Sequence, residues 1–536
     1  MAEAHPETAR DPDRGPDHDH DLEPYGRIDQ DLPAWADDRP TRIALIGHFS
    51  GQPTAAKANG LPLRAWRVDR DRFDTVMAAI APQMSWDEGA MASPSQPALV
   101  FSDLDGFHPD SLQRLVNPAV GSADGEALRR LLHDPALQAL ESLWRGVDWL
   151  IQRLSTGADL ELHLIDMDRA ALTESLAAER LTESSLYQTL VATPAQDHRG
   201  GYTHVALCMP LAFNRQDLAV AGRAALIARH AGACLLAELQ TGPLETPSDP
   251  PDTSLMAALD ALRSSEQASH LALLSPRWLL RHAYGRRGEP VQAASFEELR
   301  SAADVPSLLW GSPVWPALCV LGADPPEGAQ DTAVGALTVD GLPQAWFRDA
   351  SGDVVAVPCT ERLISSQTAA QWLALGIHAL MAHRGAPAAR WCGLATLNGQ
   401  PLPRCGHGRR PLFTDIQSTV QVSLNARHMA PASDASAKDE ENETPASASA
   451  SASTWASSLS STSTTSASAS SASSLPSAWE ADAFASSLGD ATTSVDDSAA
   501  LTSSTSSTPP TTVPEADAGQ DDDLAALLAS FKRQDT

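Results

Sequence analysis

The stretch GYTHVALCMPLAF, 201–213, is apolar almost without a break, and a long helical pattern follows it in DLAVAGRAALIARHAGACLLAEL. A strand with one wet face alternates polar and apolar residues, whereas a continuous run needs cover on both faces. The helix leads into a second apolar run, so the local order is strand, helix, strand. That order predicts an α/β fold, with helices laid over a mixed sheet. The same logic runs upstream. TRIALIGHFSG, 41–51, opens on a short strand at Ile43, Ala44, Leu45 and Ile46, with Gly47 and Gly51 flanking its turn. LPLRAWRVD, 61–69, alternates as a strand. RDRFDTVMAAIAP then carries Phe73, Val76, Met77 and Ile80 on one helical face and stops at Pro82. PALVFSDLDGFHPDSLQRLV, 97–116, reads as strand, turn and helix, with Asp110 or Ser111 as the cap and Asp103 and Asp105 serving the turn. DLELHLIDM, 159–167, alternates as a strand. TESLAAERLTESSLYQTLVA reads as helical, and MAALDALRSSEQASHLALLSPRWLL reads as helices up to Pro276 and beyond.

One helix stands out in a chain that is only 5% aromatic: LESLWRGVDWL, 140–150, with two tryptophans in one short stretch. Leu140, Leu143, Val147 and Leu150 recur at helical spacing, and Trp144 and Trp149 widen that face. Glu141, Arg145 and Asp148 fall largely off it. Such a helix packs on something large, either a core or a partner's surface.

Charge divides the chain into body and ends. The net charge is -30, of which -9 falls on residues 1–38 and -13 on residues 431–536, leaving -8 for 39–430. A chain with this balance lacks the positive face that nonspecific nucleic-acid binding requires. Residues 1–38 are acidic and Pro-rich and are expected to be a disordered leader; DHDHD at 17–21 reads as a solvated charge cluster. From Pro431 to 518 the composition collapses to Ser, Ala and Thr, too poor in apolar surface to fold. The last stretch, 519–536, recovers a pattern: Leu524, Leu527, Leu528 and Phe531 share one face, three aspartates precede them, and Lys532 and Arg533 close the stretch. It is a candidate amphipathic docking helix on a long tether. No run of 18 apolar residues is present, so no membrane insertion is expected. The N-terminus has no secretory apolar core, and the dispersed cysteines suit a reduced, cytoplasmic setting.

Chemistry leaves no clear trace. Cys392 and Cys405 stand thirteen apart with His407 nearby, without the CxxC pairs of a metal site. HExxH, GxSxG and GxGxxG patterns are missing, and the glycine turn at 47–51 lacks the GK[ST] of a phosphate loop, with Lys57 misplaced. The expectation is a protein that is no enzyme and holds no cofactor or metal.

The order of segments resembles a known family. RIALIGHFSG, then LPLRAWRVDRDRFDTVMAAIAP, then LVFSDLDGFHPDSLQRLV is similar to the small sheath subunit of bacterial type VI secretion systems (TssB). Arg67, Asp69, Arg70, Asp71, Phe73 and Asp74 match its middle motif; Ser102, Asp103, Leu104, Phe107, Pro109 and Asp110 match its last. From PALQALESLWRGVDWLIQRL, 135–154, onward the chain resembles the large sheath subunit (TssC). That likeness continues through TESSLYQTL, LSPRWLLRHAYG with Arg277 and Tyr284, ASFEEL with Phe296, Glu297 and Glu298, LLWGSPVW with Trp310, Gly311 and Pro313, and GLPQAWF. The resemblance implies a small-subunit-like region at 39–118, a large-subunit-like region at 126–430 and structural or assembly roles for Trp144, Arg145, Gly146, Trp149, Arg277, Tyr284, Trp310, Gly311 and Pro313. It implies a contractile-sheath component whose partners are sheath subunits, with inner tube, baseplate or a disassembly ATPase beyond them. A non-polymerising regulatory adaptor that binds apparatus components is the alternative, with a cytoplasmic enzyme as a distant one. The likeness fades after WCGLATLNG, where only LFTDIQSTVQVSLN, 412–425, offers a further strand.

Overall fold

The apolar runs that succeed one another along the sequence lie side by side in one sheet. The computed structural model of the chain describes residues 25–412, apart from 29, 36–39, 55–59, 87–97, 117–124, 198–199, 246–250, 287, 293–295, 324–336, 384 and 406–410. The sheet has nine strands: β1 (Thr41–Gly47), β2 (Ala65–Val68), β3 (Leu160–Asp166), β4 (His204–Ala212), β5 (Cys234–Gln240), β6 (Leu271–Ser275), β7 (Thr338–Asp340), β8 (Ile377–Ala382) and β9 (Ala388–Cys392), in the spatial order β7-β9-β8-β6-β5-β4-β1-β3-β2. The six strands from β8 to β3 run parallel, and β2, β9 and β7 are antiparallel additions at the two ends. The α/β class with a large mixed sheet therefore stands.

Strand alternation sorts side chains into two cores. Ile43, Leu45, Leu162, Leu164, Ala206, Leu236 and Leu274 face one core; Ala44, Ile46, Ile165, Val205, Leu207, Leu235 and Leu273 face the other. The first core is covered by α1 (Phe73–Ile80), α2 (Pro109–Val116), α3 (Gly125–Leu132), α4 (Pro135–Ile151) and α8 (Val314–Gly322). The second is covered by α5 (Arg169–Ala177), α6 (Arg215–His230), α7 (Thr253–Ser264) and α9 (Ser366–Ala374). Helices on both faces explain why β4 carries no alternation: its first six residues are all buried.

β1 sits between β3 and β4, with Thr41 opposite Leu160 and Ile43 opposite His204. All seven of its residues are buried. Residues 39–118 thus share a sheet with the rest of the chain: they supply the central strand β1 and the end strand β2, and the other seven strands come from residues 126–430.

Four sequence expectations change. LALLS, read as helix, is β6, with all five residues buried between β5 and β8. Leucine is a good helix former, but a slot between two buried strands outweighs propensity. TESLAAERLTESSLYQTLVA is not one helix: α5 ends at Ala177, and a new helical segment starts at Ser185, where the Ser184 hydroxyl accepts the Tyr187 N–H at 3.1 Å. Neither Asp110 nor Ser111 caps α2. Pro109 opens the helix, the His108 ring accepts the Asp110 N–H at 3.2 Å, and the Asp110 carboxylate accepts the Gln292 N–H at 3.1 Å. Asp103 does serve the preceding turn, accepting the Gly106 N–H at 3.0 Å.

The fourth change concerns the leader. Order begins before residue 39. Tyr25 is buried in the second core and donates its hydroxyl to the Ala258 carbonyl on α7. Its ring lies on Gly222 of α6, where an added Cβ would come within 2.4 Å of it. Trp35 donates its indole N–H to the His230 carbonyl at 3.1 Å. These two aromatic anchors, with Ile28 packed beside them, bury enough apolar surface to hold the segment. Residues 1–24, including DHDHD, lie outside the described residues. So do 413–536, with Leu524, Leu527, Leu528, Phe531 and most of 412–425.

Candidate functional site

Eight of the nine residues singled out in the sequence converge on the buried face of α4. Asp134 caps this helix, accepting the Ala136 N–H at 2.8 Å, and Pro135 fills its first position. Trp144 donates its indole N–H to the Phe49 carbonyl at 3.0 Å and meets the Phe49 and Phe73 rings edge-on at 5.6 and 5.8 Å. It therefore ties α4 to the turn after β1 and to α1. Gly146, on the same helix, lets the Trp315 ring of α8 lie against the backbone. Trp149 packs on Trp278 at 4.8 Å between centroids, with the Arg153 guanidinium over its other side at 4.0 Å. Trp278 in turn pairs with Gly311 and donates its indole N–H to the Ser312 carbonyl at 3.0 Å. Trp310 pairs with Leu279 and donates its indole N–H to Val305, and Pro313 precedes α8, its carbonyl accepting the Ala317 N–H. The motifs LSPRWLL and LLWGSPVW are the two sides of one short antiparallel ladder seated on α4.

Arg145 and Tyr284 belong to a buried charge network at the edge of this cluster. Glu141, expected off the apolar face, is fully buried. Its Oε1 accepts from Arg145 at 2.6 Å and from Arg281 at 3.0 Å. Arg281 also forks onto both oxygens of Glu298, at 2.7 and 3.0 Å. Glu298 accepts the Tyr284 N–H at 2.8 Å, Arg145 donates to the Tyr284 hydroxyl at 3.0 Å, and the Arg281 guanidinium lies over the Tyr284 ring. Burial alone would push the Glu141 carboxyl up; Arg281 and Arg145 outweigh it and hold the carboxyl below its ordinary value. Burial likewise works against the charge on Arg281, but Glu141 and Glu298 carry its pKa well above the ordinary value. Arg281 and Glu141 escaped the sequence reading as site residues. The usable signal was the Glu141–Arg145 pair at i, i+4 on a helix with no other reason for a carboxylate near its apolar face.

Arg277 stands apart from the other eight. It forks onto Glu361 at 2.9 and 2.7 Å, and its carbonyl accepts the Glu361 N–H at 2.9 Å. Beside this pair, at the end of β5, lies Glu238, 4% exposed. Burial pushes its carboxyl up to about 7, against the field of Arg277 and a hydrogen bond with Ser312. A carboxyl raised on folding binds its proton more tightly in the native state. Its contribution to stability is complete below the ordinary value of 4.5 and is lost as pH rises through about 7. Replacing Glu238 with Gln removes that dependence. Between pH 4 and pH 8 the wild-type chain should lose about 3 kcal/mol of unfolding free energy relative to Glu238→Gln. Denaturant unfolding of both chains across this range reads the difference, and parallel pH profiles would refute the assignment.

Among the described residues, no group of three or more His, Cys, Asp or Glu side chains could hold a metal ion, and no helix is long and apolar enough to cross a membrane. All six cysteines are free. The site is thus a packed, charge-stitched junction in which helices and a ladder lock together.

Comparison with known proteins gives the chain a family. Residues 123–398 match the family described as VipB: EvpB/VC_A0108, tail sheath N-terminal domain. Over 198 residues the chain is 27% identical to the type VI secretion system sheath protein TssC1 of Pseudomonas aeruginosa, a match covering 34% of this chain and 40% of that protein. The chain thus spans about two fifths of the length of that curated relative. Two solved structures of the anti-feeding prophage align at low similarity. Its six-fold symmetrised baseplate is 12% identical with a TM-score of 0.29, covering 80% of this chain and 75% of the other. Its helical sheath in the contracted state is 13% identical with a TM-score of 0.27, covering 81% and 79%. Helix α4 and the ladder seated on it lie inside the matched segment, which takes in more than half of the sequence, and the chain belongs to the VipB tail sheath family through that family's N-terminal domain.

Proposed function

We propose that the chain is a structural component of the type VI secretion contractile sheath, with residues 39–118 taking the place of the small subunit and 126–430 that of the large one. The observation that carries this reading is the family match over 123–398 together with β1, which lies outside that match and yet fills the middle of the same sheet. A building block of this kind does mechanical work. Energy is stored in contacts between subunits and released as the lattice contracts, so no bond is made or broken and no cofactor takes part. In this reading the cluster of Trp144, Gly146, Trp149, Trp310, Gly311 and Pro313 holds the block rigid, and Arg145 and Tyr284 pin its edge. Arg277 braces the loop that carries Glu361. The partners are sheath subunits in the cytoplasm, then the inner tube, the baseplate and a disassembly ATPase.

The test is co-assembly. The full chain, purified alone and with the small and large sheath subunits of its own system, is imaged by electron microscopy and assayed by co-purification. The expected result is incorporation into, or attachment to, sheath tubes. Association with no apparatus component overturns the proposal. A second arm carries Leu527→Asp and Phe531→Asp together, in the segment 519–536. Loss of co-purified partners with an unchanged folded body assigns docking to that segment, and an unchanged partner set makes it an appendage.

A further inference from the structure

At the carboxyl ends of β4, β5 and β6 the surface opens into a cleft of about 400 Å³. This edge of an open parallel sheet is where α/β proteins receive ligands, and the volume suits a small one. The positive features around the cleft already have acids. Arg277 gives its fork to Glu361, and the charge of Arg362 bears on the same carboxylate. The N-terminus of α6 is occupied by its own chain: Asn214 accepts the Asp217 N–H at 2.7 Å, and Asp217 sits in the first turn. Glu238 is different. It lines the cleft, is almost fully buried and is hydrogen-bonded to Ser312, while Arg277, whose charge also bears on it, gives its fork to Glu361, whose own charge opposes ionisation of Glu238.

We propose that this cleft binds a cationic nitrogen, a primary ammonium or a guanidinium, with Glu238 as its counter-ion. The hydroxyls of Thr241 and Ser275, 3.1 Å apart in the same wall, offer further acceptors for the remaining N–H groups. Phe213 and Pro276 give an apolar surface for the carbon chain behind the nitrogen. A cation entering here meets a carboxylate in a medium of low polarity, where a charge-assisted hydrogen bond is strong. The same burial pushes the Glu238 carboxyl up to about 7, so the cation must displace a proton to bind below that pH. Two sources share this chemistry, a free amine and the basic side chain of a protein partner.

The experiment is isothermal titration of the full chain with n-butylammonium chloride, with sodium propionate as the anionic counterpart, at pH 6 and pH 8. Saturable binding of the ammonium is expected, about tenfold weaker at pH 6 than at pH 8, with release of about one proton at the lower pH. Glu238→Gln should abolish it. A capped lysine peptide and the same peptide with its lysine acetylated separate the two sources. Preference for the unmodified peptide over butylammonium assigns the cleft to a partner's side chain, and the reverse assigns it to a free amine. Binding of propionate instead of the ammonium, saturation by neither, or unchanged ammonium binding by Glu238→Gln each overturns the proposal. None of these readouts depends on sheath assembly.

Discussion

Arg281→Met should destabilise the protein by about 4 kcal/mol at neutral pH, because it takes the forked cation from buried Glu298 and leaves buried Glu141 with Arg145 alone. Glu141 and Glu298 are both fully buried, and the Arg281 guanidinium reaches each of them within 3.0 Å. Methionine fills similar volume, so the loss is electrostatic and not a cavity. The network also has a defined pH dependence. The Glu141 carboxyl is held below its ordinary value of 4.5, so its contribution is complete above that pH and disappears as pH falls through the lower folded value. The measurement is denaturant unfolding of the single variant beside the triple variant Arg281→Met, Glu141→Gln, Glu298→Gln. Removing these three charges together should restore a large part of the loss, since Arg145 is only half-buried and a buried ionic set and a neutral one of equal volume differ little. If the triple variant is no better than the single one, packing around Arg281 carries the energy and the electrostatic account fails.

Gly146 is the other position with a large expected effect. On an exposed helix, Gly→Ala stabilises by about 1 kcal/mol. Here the added Cβ would stand 2.3 Å from two atoms of the Trp315 ring and 2.8 Å from a third. Trp315 is fully buried against α4 and cannot swing out without opening the first core. Gly146→Ala should therefore be destabilising despite its helix propensity, and Gly146→Val should cost about 3 kcal/mol. Thermal and denaturant melts read both. Trp315→Leu makes room at the same place, so in that background Gly146→Ala should be neutral or stabilising. An additive outcome, with the two losses simply summing, would show that the close approach is not the cause.

Much of this architecture was legible because burial leaves a local record. The continuous apolar run at 201–213 announced a strand covered on both faces, and the stripe of Leu140, Leu143, Val147 and Leu150 announced the tryptophan helix; each pattern follows from one element's own geometry. The family likeness read from 126 onward was legible for a related reason, since LESLWRGVDWL, SPRWLL and LLWGSPVW are contact surfaces that must suit one another. Other features had no local record. LALLS has the same composition as a helix segment, and only its place between β5 and β8 made it a strand. The leader's docking turned on Tyr25 and Trp35, two residues in an acidic stretch whose average composition says disorder.

The sequence by itself determined the faces. Which residues turn inward is set by periods of two and 3.6, and on α4 the structure keeps Leu140, Leu143, Val147 and Leu150 on the buried face. The tertiary structure alone decided the neighbours. It placed β1 between β3 and β4, more than a hundred residues away along the chain, and so joined residues 39–118 and 126–430 in one sheet. It buried Glu141 on a helix where the pattern turned it outward, because Arg281, 140 positions away, supplies the charge that makes burial tolerable. It left Glu238, the one acid in CLLAELQ, buried in the wall of a cleft, beside an Arg277 whose fork goes to Glu361. Periodicity belongs to a single element and is written in neighbouring residues. The free energy of a buried charge depends on where its counter-charge comes to rest, and that is known only when distant parts of the chain have packed.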